Sequence, residues 1–146
     1  MPAFRIVTEI AAPVERCFDL SRSIDLHLES MIASKERAVD GVTTGLIAEG
    51  QEVSWQARHF GVQWRMTSRI TEFDPPHRFV DEMVRGPFAA FRHEHHFHPS
   101  GTGTRMTDVV SFRMSLGPPA NLPVGLYLRR LMRIRNDAIR KKAEQG

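Results

Sequence analysis

The chain has 146 residues, 41% of them hydrophobic and 25% charged, with a formal net charge of +3. That length suits one domain with a sizeable core, and the single cysteine, Cys17, excludes both an internal disulfide framework and a cysteine-rich zinc site. The positive charge is local: residues 129–146 carry seven basic residues against Asp137 and Glu144, which leaves a balance of −2 over the rest of the chain.

Residues 4–10 alternate apolar and polar and are rich in β-branched side chains, which predicts a half-buried opening strand ending at Ala12-Pro13. Val14, Cys17, Phe18 and Leu20 then recur at helical spacing, so a short amphipathic helix follows. Ser21 or Ser23 can cap a second short helix through Leu28. Residues 36–40 read as a brief strand before Gly41, and the stretch to Gly50 as a turn and a short strand. From residue 52 the period settles at two. Strands over residues 52–60 and 62–73 join at Gly61, and Asp74-Pro75-Pro76 closes the second. Residues 78–85 form the next strand. Residues 89–98 and 104–114 flank the turn-forming run 99–103. After the breaker cluster 116–119, residues 122–144 carry the only long helical pattern.

One strand, two short helices, a meander of antiparallel strands and a long terminal helix make a two-layer α+β domain spanning residues 1–146. The curved sheet of six to seven strands must wrap its apolar face around that helix. A helix with its side chains is only about 10 Å across, too narrow to fill a strongly concave sheet, so a cavity between them is expected.

Alternation decides which side chains face that cavity. Met106, Asp108, Val110, Phe112 and Met114 form the more apolar set of their strand and are placed inward, as are Phe91, His93, His95 and Phe97 on theirs. Trp64, Met66, Ser68 and Ile70 point in from one strand, and Val53, Trp55, Ala57 and His59 from its neighbour. Strand 78–85 leaves two sets open, and Asp81 with Met83 is taken as inward. On the terminal helix Val124, Tyr127, Leu128, Leu131, Met132, Ala138 and Ile139 form one stripe, with Arg135 near its centre. A guanidinium in that position needs a carboxylate, carbonyl acceptors, water or an anionic ligand. It is therefore a structural partner of Asp108 or Asp81, a clamp for a ligand carboxylate or enolate, or a long stem that snorkels outward to water. The candidate ligand-contacting set is His59, Trp64, Met66, Asp81, Met83, Phe91, His93, His95, Asp108, Val110, Phe112, Leu128, Leu131 and Arg135.

His93 and His95 lie two apart on one strand face, stacked within reach of a common ligand atom. Either could act as an acid or base, with Asp108 orienting the ring, or both could simply be satisfied by hydrogen bonds to Asp81, Asp108 or water. Two histidines alone are an incomplete ligand set, so no metal is expected. No cofactor is expected either, since Gly101-Thr102-Gly103-Thr104 lacks the lysine and following helix of a phosphate loop. Cys17, on an apolar helix side, reads as buried and inert.

The order of elements resembles the helix-grip fold of the SRPBCC superfamily, which includes START lipid-transfer domains, pollen-allergen proteins and polyketide aromatase/cyclases. Phe79-Val80-Asp81-Glu82-Met83, Gly86-Pro87-Phe88, the alternating Phe91, His93, His95 and Phe97, the set Gly103-Thr104, Met106, Asp108 and Val110, and Leu116-Gly117 are together similar to a bacterial ligand-binding SRPBCC group. The resemblance implies an internal pocket for a small apolar or amphipathic molecule; some relatives are cyclases or dehydratases and others only carry ligands.

The function expected is thus binding of a small hydrophobic or amphipathic molecule. The alternative is a polyketide cyclase/dehydratase-like or isomerase enzyme, with His93 or His95 as base and Arg135 stabilising an oxyanion. A partner nucleic acid is not expected. Attachment of the basic terminal helix to nucleic acid or an anionic membrane is disfavoured because its arginines lack interleaved exposed aromatics. No run approaches the roughly 18 apolar residues of a membrane span, and no leader pattern opens the chain, so a soluble cytoplasmic protein is expected. Monomer and homodimer both remain open.

Overall fold

The computed structural model describes residues 2–145. β1 (Ala3–Ile10) is followed by α1 (Val14–Ser21) and α2 (Ile24–Ser30), which carry the chain across to the far edge of the sheet, where β2 (Arg37–Gly41) begins. β3 (Glu52–His59), β4 (Val62–Asp74), β5 (Arg78–Arg85), β6 (Phe88–Ser100) and β7 (Gly103–Met114) then meander back, and α3 (Asn121–Glu144) closes the fold. The seven strands run in the order β1-β7-β6-β5-β4-β3-β2, antiparallel throughout. This is the helix-grip arrangement.

Local chemistry accounts for most boundaries. The Ser23 hydroxyl accepts from the Leu26 N–H at 3.1 Å and so caps α2, the second of the two serines expected to do so. The strand expected before Gly50 does not form. Gly41, Gly45 and Gly50 all take left-handed φ values of 74–77°, which breaks the extended backbone, and only a single bridge, Ser23 to Leu46, survives. The turn expected over residues 99–103 is tight, as its composition implied: β6 and β7 stay paired as far as Ser100 and Gly103. Short 3-10 turns at Ile32–Ser34 and Pro118–Ala120 had no sequence signal.

Inward faces follow the alternation. Phe91, His93, His95 and Phe97 are buried on β6, and Met106, Asp108, Val110 and Phe112 on β7. On β5, Phe79 and Asp81 face the concave side, yet Val80 on the opposite side is also fully buried. It sits in the ladder between Glu72 and Glu94, and Arg78 and Arg92 bridge these two carboxylates across the convex surface.

The core is divided in two. One cluster gathers Ile10, Phe18, Phe79, Phe97, Met106 and Ile139 near α1 and the C-terminal half of α3. The other gathers Phe4, Ile6, Phe91, Val110, Phe112 and Leu128 under its N-terminal half. Between them each element contributes polar groups at one level: Asp81 on β5, His93 and His95 on β6, Asp108 on β7, and Arg135 with Asn136 on α3. Strand register makes the belt, because His95 pairs with Asp108 and His93 with Asp81.

Candidate functional site

A cavity of about 300 Å³ lies between the concave face of β3–β6 and α3, as the mismatch between a curved sheet and a single helix requires. Its wall includes His59, Trp64, Met66, Asp81 and Phe91, together with His93, His95, Leu128, Leu131 and Arg135. Met83, Asp108, Val110 and Phe112 do not reach it. Val110 and Phe112 are consumed by the second core cluster and Met83 packs against it, while Asp108 is fully buried beneath His93 and Arg135. Facing inward and lining the cavity are thus separate properties: β7 lies under α3, and the hollow opens over β3–β6.

At the inner end the polar belt is tightly bonded. Arg135 is 4% exposed and donates from Nη1 to Asn136 Oδ1 at 2.9 Å and to Asp108 Oδ1 at 3.4 Å. From Nη2 it donates to the Ser21 carbonyl at 3.1 Å and to His95 Nδ1 at 3.3 Å. Both terminal nitrogens are therefore engaged by the chain itself. Asn136, which the helical stripe did not include, donates to Asp108 Oδ2 at 2.8 Å and to Thr8 Oγ1 at 3.2 Å.

These contacts fix the tautomer of His95. Arg135 can only donate, so Nδ1 of His95 carries the lone pair and Nε2–H donates to Asp81 Oδ2 at 2.6 Å. Burial, helped by the neighbouring His93 and Arg135 and opposed by Asp81, pushes the His95 imidazole down to about 3, so the ring is neutral. Burial alone would raise Asp108; the hydrogen bond from His93 and the charge of Arg135 outweigh it and hold the carboxyl well below its usual range. Asp81 is held below its ordinary value in the same way: burial would raise it, and the hydrogen bond from His95 with the nearby His93 and Arg135 outweighs that.

His93 differs. Its Nε2–H donates to the ionised Asp108 at 2.7 Å, while Nδ1 has no hydrogen-bond partner among the described residues, its nearest carboxylate oxygen being Asp81 Oδ2 at 3.8 Å. In the neutral ring that nitrogen is a lone-pair acceptor on a residue of the cavity wall. The rings of His93 and His95 stack at 3.7 Å, and Phe79 stacks on His95 at 3.9 Å.

Asp81, His93 and His95 bring ligand atoms within 4.8 Å of one another, the spacing of a metal trio. Arg135 opposes that use. A cation on His95 Nε2 would force either an imidazolate or an N–H turned against the guanidinium, beside a buried positive charge.

The wall holds two further pairs. His59 Nδ1 and the Tyr127 hydroxyl lie 2.6 Å apart and tie the β3–β4 tip to α3; burial pushes the His59 imidazole below its ordinary value. His27 Nε2 meets Glu36 Oε1 at 2.6 Å, with the His27 ring 4.3 Å from that of Trp55. The sequence carried no signal for this second pair, whose members come from α2 and from the residue before β2. Cys17 is fully buried, and burial raises its thiol.

The model of a family described as polyketide cyclase/dehydrase and lipid transport matches residues 1–144. Among solved structures, the ZhuI aromatase/cyclase from Streptomyces sp. R1128 superposes with a TM-score of 0.77 at 13% identity, over 99% of this chain and 94% of that one. The major latex-like protein 151 of Panax ginseng gives 0.73 at 15% identity over 97% of each chain. The protein TTHA0849 from Thermus thermophilus gives 0.69 at 20% identity over 99% and 95%. At these identities the likeness is one of fold. No curated protein matches the sequence.

Proposed function

The chain belongs to the polyketide cyclase/dehydrase and lipid transport family, and on that premise we propose that it binds a small, largely apolar molecule whose polar end is a hydrogen-bond donor, such as a hydroxyl or phenol. The observation that carries this reading is the Nδ1 of His93, without a hydrogen-bond partner among the described residues, at the inner end of a largely apolar cavity. Asp81 stands beside it as a second acceptor. A carboxylate fits poorly there. Two ionised aspartates face one guanidinium whose terminal nitrogens are already engaged, so an added anion would meet Asp81 first. This reading sets an acceptor at His93 in place of the anion clamp that was one of the alternatives for Arg135.

Calorimetric titration with 2-naphthol and 2-naphthoate tests it. The naphthol is expected to bind about tenfold or more tightly than the naphthoate, and Leu131→Trp, which fills the cavity, should abolish binding while the protein stays folded. Equal or tighter binding of the naphthoate would overturn the donor reading.

The same nitrogen supports a second, enzymatic reading. Asp108 holds the His93 ring by Nε2 and leaves Nδ1 toward the cavity, as an orienting carboxylate does for a general base. Base catalysis predicts deuterium incorporation next to the carbonyl of a bound ketone such as 2-tetralone, lost in His93→Gln with binding retained. Exchange at the buffer rate in the wild type leaves the binding role alone.

A further inference from the structure

The antiparallel meander brings the β3–β4 tip, the β5–β6 turn, the end of β7 and the start of α3 to one end of the sheet, and Tyr127 joins two of these by its bond to His59. That end is the rim of the cavity, since Phe60, Pro87, Phe88, Met114 and Val124 all belong to its wall. Most of the large exposed apolar side chains of the molecule stand there: Phe60 is 76% exposed, Leu116 85%, Leu122 73% and Leu126 60%, with Val62, Trp64 and Val84 beside them. Phe60 and Trp64 belong to the wall themselves, and Val62, Leu116, Leu122 and Leu126 are each adjacent or next but one in sequence to a lining residue. The segments that form this end carry charge of one sign, and the only acidic group paired with them at the surface among the described residues is Asp40, 3.9 Å from Arg65. Residues 57–68, 83–91 and 112–136 contain arginines and neither aspartate nor glutamate. Arg58, Arg85, Arg113 and Arg130 form no ion pair among the described residues.

Phe60 adds an independent observation. It occupies the tip with φ of 54°, followed by Gly61 at 71°, a turn that asparagine-glycine serves with least strain. A phenylalanine there costs conformational energy, and although its ring meets Tyr127 at 4.7 Å it stays mostly exposed.

We propose that this rim docks on an anionic lipid bilayer, with Phe60, Leu116, Leu122 and Leu126 entering the interface and the unpaired arginines meeting lipid phosphates, so that the cavity mouth opens at the membrane surface. Protruding apolar tips ringed by cations suit a deformable, negatively charged interface. The absence of interleaved aromatics, which argued against such attachment from the sequence, holds for α3 alone: the aromatics come from the β3–β4 tip. This inference stands apart from what the cavity holds.

Cosedimentation of the full chain with vesicles of phosphatidylcholine alone, or with phosphatidylglycerol added, tests it. Partitioning should require the anionic lipid and weaken as salt rises. Arg85→Gln with Arg130→Gln should weaken it roughly 25-fold, at about fivefold per charge. Leu116→Ser with Leu122→Gln should also release the protein, and both pairs alter exposed side chains only. Phe60→Asn separates docking from folding: the hairpin should be as stable or more so, while vesicle binding falls. No partitioning at low salt, or partitioning that these variants leave unchanged, overturns the proposal and leaves the rim to a protein partner.

Discussion

Arg135 is the most heavily constrained side chain of the interior. Its position in an apolar stripe predicted burial, and burial obliged it to find acceptors; it finds Asp108, Asn136, Ser21 and His95. Removing it strands an ionised Asp108 in the core, so Arg135→Ala should lower the unfolding free energy by about 3–5 kcal/mol in urea titrations. Arg135→Lys should rescue little of this, because an ammonium cannot span the same acceptors. The belt also sets the pH response. The unfolded chain protonates its residue 95 imidazole near the ordinary value of 6.5, but the folded one only near about 3, so the unfolded state binds more protons across that window. Stability therefore falls as pH drops through it, by up to about 1.4 kcal/mol per pH unit for this group. Asp81 and Asp108, held below their ordinary 3.8, extend the loss in the same direction at lower pH. Urea midpoints at pH 7, 5.5 and 4 should show a steady decline that His95→Asn flattens; a level profile in the wild type would mean the ring is protonated in the folded state.

At the scale of elements, alternation and periodicity read correctly wherever burial has one side. β6 and β7 have a clean inward face, so the histidine pair and Asp108 were placed by counting in twos. β5 was ambiguous because Val80 is covered by an ion-pair lattice that no single strand encodes. The segment between β2 and β3 misled because its left-handed glycines interrupt an otherwise strand-like composition. One of them is directly testable: Gly41 has φ of 74° and a methyl there would overlap the Glu52 carbonyl oxygen. Gly41→Ala should destabilise by at least about 1–2 kcal/mol, the usual cost of a side chain in that region before any clash. Tyr127→Phe removes the tie between α3 and the β3–β4 tip. Amide exchange at that tip should accelerate while β6 and β7 keep their protection.

For the whole molecule, the hollow is a consequence of shape: a seven-stranded sheet curves around one helix that fills only part of the concavity. A ligand that occupies it adds its binding energy to folding. The naphthol at 100 times its Kd should therefore raise the unfolding free energy by about 2.7 kcal/mol, and a cavity-filled Leu131→Trp should gain nothing. The sequence by itself determined the order of elements, their inward faces and the burial of Arg135, because those follow from local periodicity and from the cost of burying charge. Tertiary structure alone decided which inward residues touch the cavity, since that depends on where α3 lies across the sheet, packed on β1, bonded to Asp108 of β7 and reaching β3 through Tyr127. It also decided that His95 is spent on Arg135 and Asp81 while His93 keeps one nitrogen free, a difference made by angles and partners from four separate elements.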